Sequence, residues 1–172
     1  MPRRNRRYAW ERWPQGRLLD SRIRDLGLTL EGTWVEKLIR RVLGELADHR
    51  IRIRPHFWIS DEWFSPADVP GVAVPFYLVS ERLMRLERGR MLEVEGGTRV
   101  ECLRLLRHEV GHAIQHAYAL HGRRDWQRTF GSSSRRYPSS YRPNPASRRY
   151  VTHLDAWYAQ SHPDEDFAET FA

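Results

Sequence analysis

Cysteine, lysine and long apolar runs are almost absent from this chain, and each scarcity narrows its chemistry. Cys102 is the only cysteine in 172 residues. No intrachain disulfide can form, and an oxidising compartment is not implied. No apolar run approaches the ~20 residues of a membrane span. Met1-Pro2-Arg3-Arg4-Asn5-Arg6-Arg7 leads into Tyr8-Ala9-Trp10-Glu11 and not into the apolar stretch of a signal peptide. A soluble, cytoplasmic protein with no membrane partner is therefore expected. Lys37 is the sole lysine, so a net charge of +7 rests almost wholly on arginine. Guanidinium groups at Arg3, Arg4, Arg6, Arg7, Arg123, Arg124, Arg135, Arg136, Arg148 and Arg149 imply non-specific contact with polyanions.

The length suits a single domain, with a core large enough to form without disulfides. Residues 1–17 read as a basic, mobile arm and residues 18–172 as the folded domain. Leu18 to Leu26 has helical spacing. Thr33-Trp34-Val35-Glu36 has the pattern of a capping box, opening a helix to about Asp48. Ile51-Arg52-Ile53-Arg54 with Phe57-Trp58-Ile59 reads as one strand, Val72 to Val79 as a second and Met91 to Glu95 as a third. Pro75 cannot donate to a ladder, which pushes the second strand to a sheet edge. Ser80 caps a short helix to about Glu87. The expected class is α+β with a small sheet.

Chemistry enters with His108-Glu109-Val110-Gly111-His112. Thr98-Arg99-Val100-Glu101 reads as a second capping box, and Gly122 as the stop of a helix from Arg99 to about Leu120. Val100, Leu103, Leu106, Val110, Ala113, Ile114, Ala117 and Tyr118 recur at helical spacings. Four residues on a helix bring the two imidazoles over one another on one face, where they can grip one ion. Glu109, one step round, can take a proton from a water that zinc has acidified. Gly111 weakens the helix by about 1 kcal/mol relative to Ala, which points to close packing or access beside the metal. Cys102 is six residues from His108, not four, and reads as core.

A catalytic zinc takes three protein ligands. Glu165 and Glu169, at helical i, i+4 spacing behind Pro163, are the candidates for the third. One carboxylate can bind the ion while the other accepts from the free ring nitrogen of a ligating histidine. Phe167, Ala168 and Phe171 would pack that helix on the core.

HEVGH followed 53 residues later by E-D-F-A-E resembles the gluzincin pattern. FYL, EVEGGT, LRHEVGHAI and WYAQSHPDEDFAETFA resemble more closely a bacterial group of zinc-binding metallopeptidases. The resemblance implies a zincin-like domain with an HExxH helix and a C-terminal glutamate helix. It also implies a Zn2+ cofactor held by His108, His112 and Glu165, with Glu109 as general base and Glu169 bonded to His108. Relatives continue beyond the last block, so a C-terminally shortened member is implied. A more distant similarity to lethal-factor-like toxin peptidases implies that Tyr158 stabilises the transition state; the spacing of Tyr150, Val151, Leu154, Trp157 and Tyr158 equally reads as a packed helix. In the zincin arrangement the edge strand would pair with extended substrate.

Residues 121–149 are rich in Ser, Pro, Arg and Tyr and read as a long loop bordering the cleft. Trp126, Phe130, Tyr137 and Tyr141 are expected to shape or cover it. The function implied is hydrolysis of peptide bonds in a peptide or protein substrate. Two alternatives stand beside it: an inactive zincin scaffold that binds peptides, and an arginine-rich nucleic-acid-binding module. Three ligands leave a position open, unlike a structural zinc site closed by four.

Overall fold

A computed structural model describes residues 8–172. The architecture is α+β. Helices α1 (Gln15–Leu19), α2 (Trp34–Asp48), α3 (Glu81–Met91), α4 (Arg99–Ala117), α5 (Arg124–Phe130) and α6 (Pro163–Phe171) accompany strands β1 (His56–Ser60) and β2 (Gly71–Pro75).

Helix α2 begins where its sequence predicts. The Thr33 hydroxyl accepts from the Glu36 amide at 3.2 Å, satisfying one of the unpaired donors of the first turn. Val35, Leu38, Ile39, Val42 and Leu46 form its buried stripe. Helix α4 packs across that stripe and buries Cys102, Leu103, Leu106, Val110, Ala113 and Ile114 in the same core. Arg107 forks onto both carboxylate oxygens of Glu45 at 2.9 and 2.7 Å, tying α4 to α2.

The stretch read as an arm divides at Tyr8. Residues 1–7 lie outside the described residues. From Tyr8 onward the chain is packed, because Trp10 is an anchor: it is buried, and its indole N–H donates to the Leu26 carbonyl at 2.8 Å. Arg82 of α3 satisfies the carbonyls of Trp10, Glu11 and Trp13.

The sheet is smaller than its sequence suggests. β1 and β2 pair in parallel, His56 opposite Gly71 through Ser60 opposite Pro75. Residues 51–54 join no strand, and residues 76–79 turn into a 3-10 helix after Pro75. Met91 ends α3, Leu92 adopts a left-handed conformation (φ 68°), and no third strand forms at 91–95. β2 is an end strand of this two-stranded sheet, as Pro75 predicts, but its free side is partly covered. β1 flanks one side, and on the other an antiparallel bridge joins Phe64 to Ala73, the Ala73 amide donating to the Phe64 carbonyl at 2.8 Å. Beyond that bridge, the edge lies at the segment carrying Phe64. Among the described residues, no helix is long and apolar enough to cross a membrane.

Candidate metal centre

Helix α4 supplies the first donors. The Thr98 hydroxyl accepts from the Glu101 amide at 3.2 Å, and the helix then runs unbroken through His108 and His112. It stops at Ala117, with Tyr118 as cap and Ala119 left-handed (φ 47°), so Gly122 is not its stop. Helix α6 supplies the rest. Pro163 occupies its first position, where a missing N–H is harmless, and the ring of His162 caps it by accepting from the Asp164 amide. The other ring nitrogen of His162 donates to the Arg135 carbonyl at 2.7 Å, which fixes the tautomer that makes the cap.

The two helices meet closely because of Gly111. A Cβ there would lie 3.0 Å from Ala168 Cα and 3.3 Å from both the Ala168 carbonyl oxygen and the Phe171 ring. Close packing is thus the role of this glycine. It brings three donor atoms into a triangle. His108 Nε2 and His112 Nε2 are 3.1 Å apart, and Glu165 Oε2 lies 3.1 Å from the first and 3.3 Å from the second. Atoms around a tetrahedral ion bonded at ~2.0–2.1 Å are separated by about 3.3 Å, so the set has the size and the N, N, O chemistry that zinc takes. These three are a group able to hold a metal ion.

Two of the three donors are held from behind. His108 donates from Nδ1–H to Glu169 Oε1 at 3.1 Å, which leaves Nε2 as the nitrogen turned to the triangle. Glu169 Oε2 accepts the amides of His153 at 2.9 Å and Leu154 at 2.8 Å, so both carboxylate oxygens are engaged. The hydroxyl of Tyr137 donates to Glu165 Oε1 at 2.9 Å, and its ring stacks on His162 with centroids 3.7 Å apart. Burial opposes ionisation of both His108 and Glu165, yet their mutual hydrogen bonds prevail: the His108 pKa rises to about 9 and that of Glu165 falls well below the carboxylate range. Burial likewise disfavours the Glu169 carboxylate, but His108 and the two amides lower its pKa. For Glu109 burial wins, and its pKa rises.

His108, Glu109, His112 and Glu165 all line one cleft of about 640 Å³. Tyr158 lines it too, its ring centroid 5.9 Å from that of His108. Its hydroxyl has no hydrogen-bond partner among the described residues, and burial pushes its pKa up to about 12. The segment carrying it is a 3-10 turn and not a regular helix: Ala156 (φ 59°) and Trp157 (φ 53°) are both left-handed. Such consecutive strained residues concentrate where a side chain must be aimed.

Of the loop aromatics, Tyr137 alone reaches the cleft. Trp126 and Phe130 pack on Phe167 of α6 instead, centroids 6.0 and 5.4 Å away, and Tyr141 donates to the Ala156 carbonyl. A buried network went unread in the sequence. Gln115, fully buried, donates to Asp164 Oδ1 at 2.7 Å, and Ser133 donates to Oδ2 at 3.1 Å. Gln115 stands among the apolar positions of α4, three residues past His112, and a polar residue there was the available signal.

An α+β fold carrying a His-His-Glu donor set defines the class as a candidate metal-binding domain with an open coordination position. Comparison with known families agrees with that chemistry: residues 98–172 match the model of a family described as "Putative zinc-binding metallo-peptidase". The match starts at the cap of α4 and runs through α6, so it covers the whole donor set. No curated protein and no solved structure matches the chain.

Proposed function

We propose that this protein is a zinc-dependent metallopeptidase, hydrolysing peptide bonds in the cleft bordered by His108, His112 and Glu165. The observation that carries the reading is the donor triangle of 3.1–3.3 Å with Glu109 in the same cleft wall. Zinc, when bound, supplies an acidified water and polarises the scissile carbonyl. The rest falls to the chain. Glu109, made more basic by its burial, accepts the proton of the attacking water and returns it to the leaving amine. Glu169 holds the tautomer of His108. Tyr158 keeps its proton to high pH and has a hydroxyl free to donate to the oxyanion. Residues 62–65, the segment on the cleft side of the sheet, offer the backbone edge for extended substrate that β2 cannot.

Metal analysis paired with cleavage of a peptide library tests this. Glu109→Gln should keep one zinc per chain and lower kcat by ~10²–10⁴-fold, since an amide cannot accept the proton. Tyr158→Phe should also keep zinc while lowering kcat by ~10²-fold. Equal activity of wild type and Glu109→Gln would sink the reading, and zinc binding without any cleavage would favour the peptide-binding scaffold.

A further inference from the structure

The cleft carries a charge opposite to that of the molecule. The chain as a whole is at +7. Yet the cleft wall contains eight carboxylate residues against one arginine, Arg104, which is shared with Asp155 at 3.8 Å, and the imidazoles of His108, His112 and His116. Half of those carboxylates belong to the metal centre or its neighbours. The other four, Glu62, Glu93, Glu95 and Glu101, have no cation within ion-pairing distance among the described residues.

Their placement is built into the fold. Gly96 (φ 74°) lets the loop of Glu93 and Glu95 pass against Trp63 and Leu105, where a Cβ would stand 3.2 and 3.3 Å from those side chains. Val94 is buried between the two glutamates, and the Gly97 amide closes a turn onto its carbonyl at 2.9 Å. Glu101 has the sequence position of a capping-box carboxylate, but the cap at Thr98 is made by the hydroxyl, and the Glu101 side chain lines the cleft. On α4, Glu101, Leu105, His108 and His112 follow one another along the cleft face. Desolvation raises the pKa of Glu95, and Glu101, Glu93 and Glu62 raise it further against the smaller opposing pull of His108, as expected of crowded carboxylates. Trp63 and Phe64 complete this wall, Phe64 being 38 % exposed. An aromatic face beside carboxylates suits a cation that brings an apolar stem.

We infer that this acidic end of the cleft selects an arginine or lysine side chain of the substrate, close to the bond cut at the metal centre. Glu101 is seven residues from His108, about 10 Å along the helix axis at ~1.5 Å per residue. That is about three residues of extended chain, so the cation lies within about three residues of the scissile bond. The cleft focuses the field locally, while the arginine-rich exterior repels polycations. Selection therefore acts on a single basic side chain in an otherwise neutral or acidic stretch. The inference rests on the peptidase reading for its use in catalysis, but the recognition itself is measurable without turnover.

The test is equilibrium binding of fluorescent hexapeptides to the full chain carrying Glu109→Gln, with arginine scanned through each position of a neutral sequence and citrulline as the uncharged match. At one or two adjacent positions arginine should bind about tenfold more tightly than citrulline, with the advantage shrinking as salt is raised. The triple substitution Glu93→Gln, Glu95→Gln and Glu101→Gln, at side chains with no internal partner to lose, should abolish the preference and leave citrulline peptides unaffected. Equal binding of arginine and citrulline at every position would overturn the inference, as would a preference that survives in the triple variant. If the peptides bind with the expected preference but wild type cleaves none of them, the recognition stands and the peptidase reading fails.

Discussion

Up to the middle of α4 the protein buries hydrocarbon; beyond it, the protein buries charge. Every buried polar or charged side chain among the described residues lies from His108 onward, while Trp126, Ala159 and Ala168 are the only buried hydrophobic residues after Ile114. Before His108 the interior is Val35, Val42, Val72, Val74, Leu78 and their neighbours. The two regions do different work. Burying apolar area stabilises the first by roughly 25 cal/mol per Å². Burying carboxylates and imidazoles costs free energy unless each is hydrogen-bonded, and so the second is organised around partners more than around volume. Helix α4 belongs to both, its aliphatic face on α2 and its histidines on α6. The division separates stability from metal affinity, and single substitutions should move one without the other.

The largest effect belongs to the apolar region. Leu78 is fully buried, and Leu78→Ala should cost about 2–5 kcal/mol of unfolding free energy, through lost transfer energy and the cavity left behind. Zinc affinity of the molecules that remain folded should stay within about twofold of wild type. A concurrent collapse of affinity in folded protein would show that the two regions are not separable.

Next comes Glu169. Its carboxylate is buried and bridges His108 Nδ1 to the amides of His153 and Leu154. Glu169→Ala should weaken zinc binding by about 10–100-fold, measured by competition with a chelator. A stability loss with unchanged affinity would make Glu169 a purely structural residue that ties His153 and Leu154 to α6.

The same division explains what the sequence disclosed. Local signals were legible: Thr33 and Thr98 cap the helices they were expected to cap, and HExxH spacing on a helix brings His108 and His112 together by geometry alone. Glu165 and Glu169 were legible as a pair on α6. The sheet was not, because an apolar run such as residues 72–79 fits a strand or a buried 3-10 turn equally, and its end is decided by Pro75 and by the packing of Tyr77, Leu78 and Val79. Residues 91–95 alternate like a strand, but no partner strand lies beside them. Tyr137 was legible as an aromatic of the cleft but not as a partner of Glu165: it reaches that carboxylate across 28 residues of chain, and nothing local announces such a contact. Trp10 likewise sits in a basic stretch whose composition conceals one long-range anchor.

Gly111→Ala probes the seam between the regions. The added Cβ meets backbone, Ala168 Cα at 3.0 Å, so α6 must move by a few tenths of an ångström. The substitution gains about 1 kcal/mol of helix propensity, which offsets the crowding in stability. Metal affinity has no such offset, since the Glu165 oxygen moves with α6 relative to both histidines. Zinc binding should weaken several-fold while the melting temperature of the metal-free protein changes little. Unchanged affinity would mean that α6 is compliant enough to keep Glu165 in place.

The smallest effect is expected at Tyr137, where one hydroxyl is removed from a ring that otherwise stays stacked on His162. Tyr137→Phe deletes the donor to Glu165 Oε1 and nothing else. Glu165 and Tyr137 both line the cleft, so a water there can take the place of the lost hydroxyl. The net loss is therefore that of a hydrogen bond exchanged with solvent, about 0.5–1.5 kcal/mol, and zinc affinity should fall by about two- to tenfold. Tyr158→Phe, which removes a hydroxyl that holds no ligand, should leave zinc affinity at the wild-type value. If Tyr137→Phe instead left affinity unchanged and lowered kcat, the roles of the two tyrosines would have to be exchanged: the loop would carry the transition-state donor, and the strained turn at Ala156 and Trp157 would serve only to close the cleft.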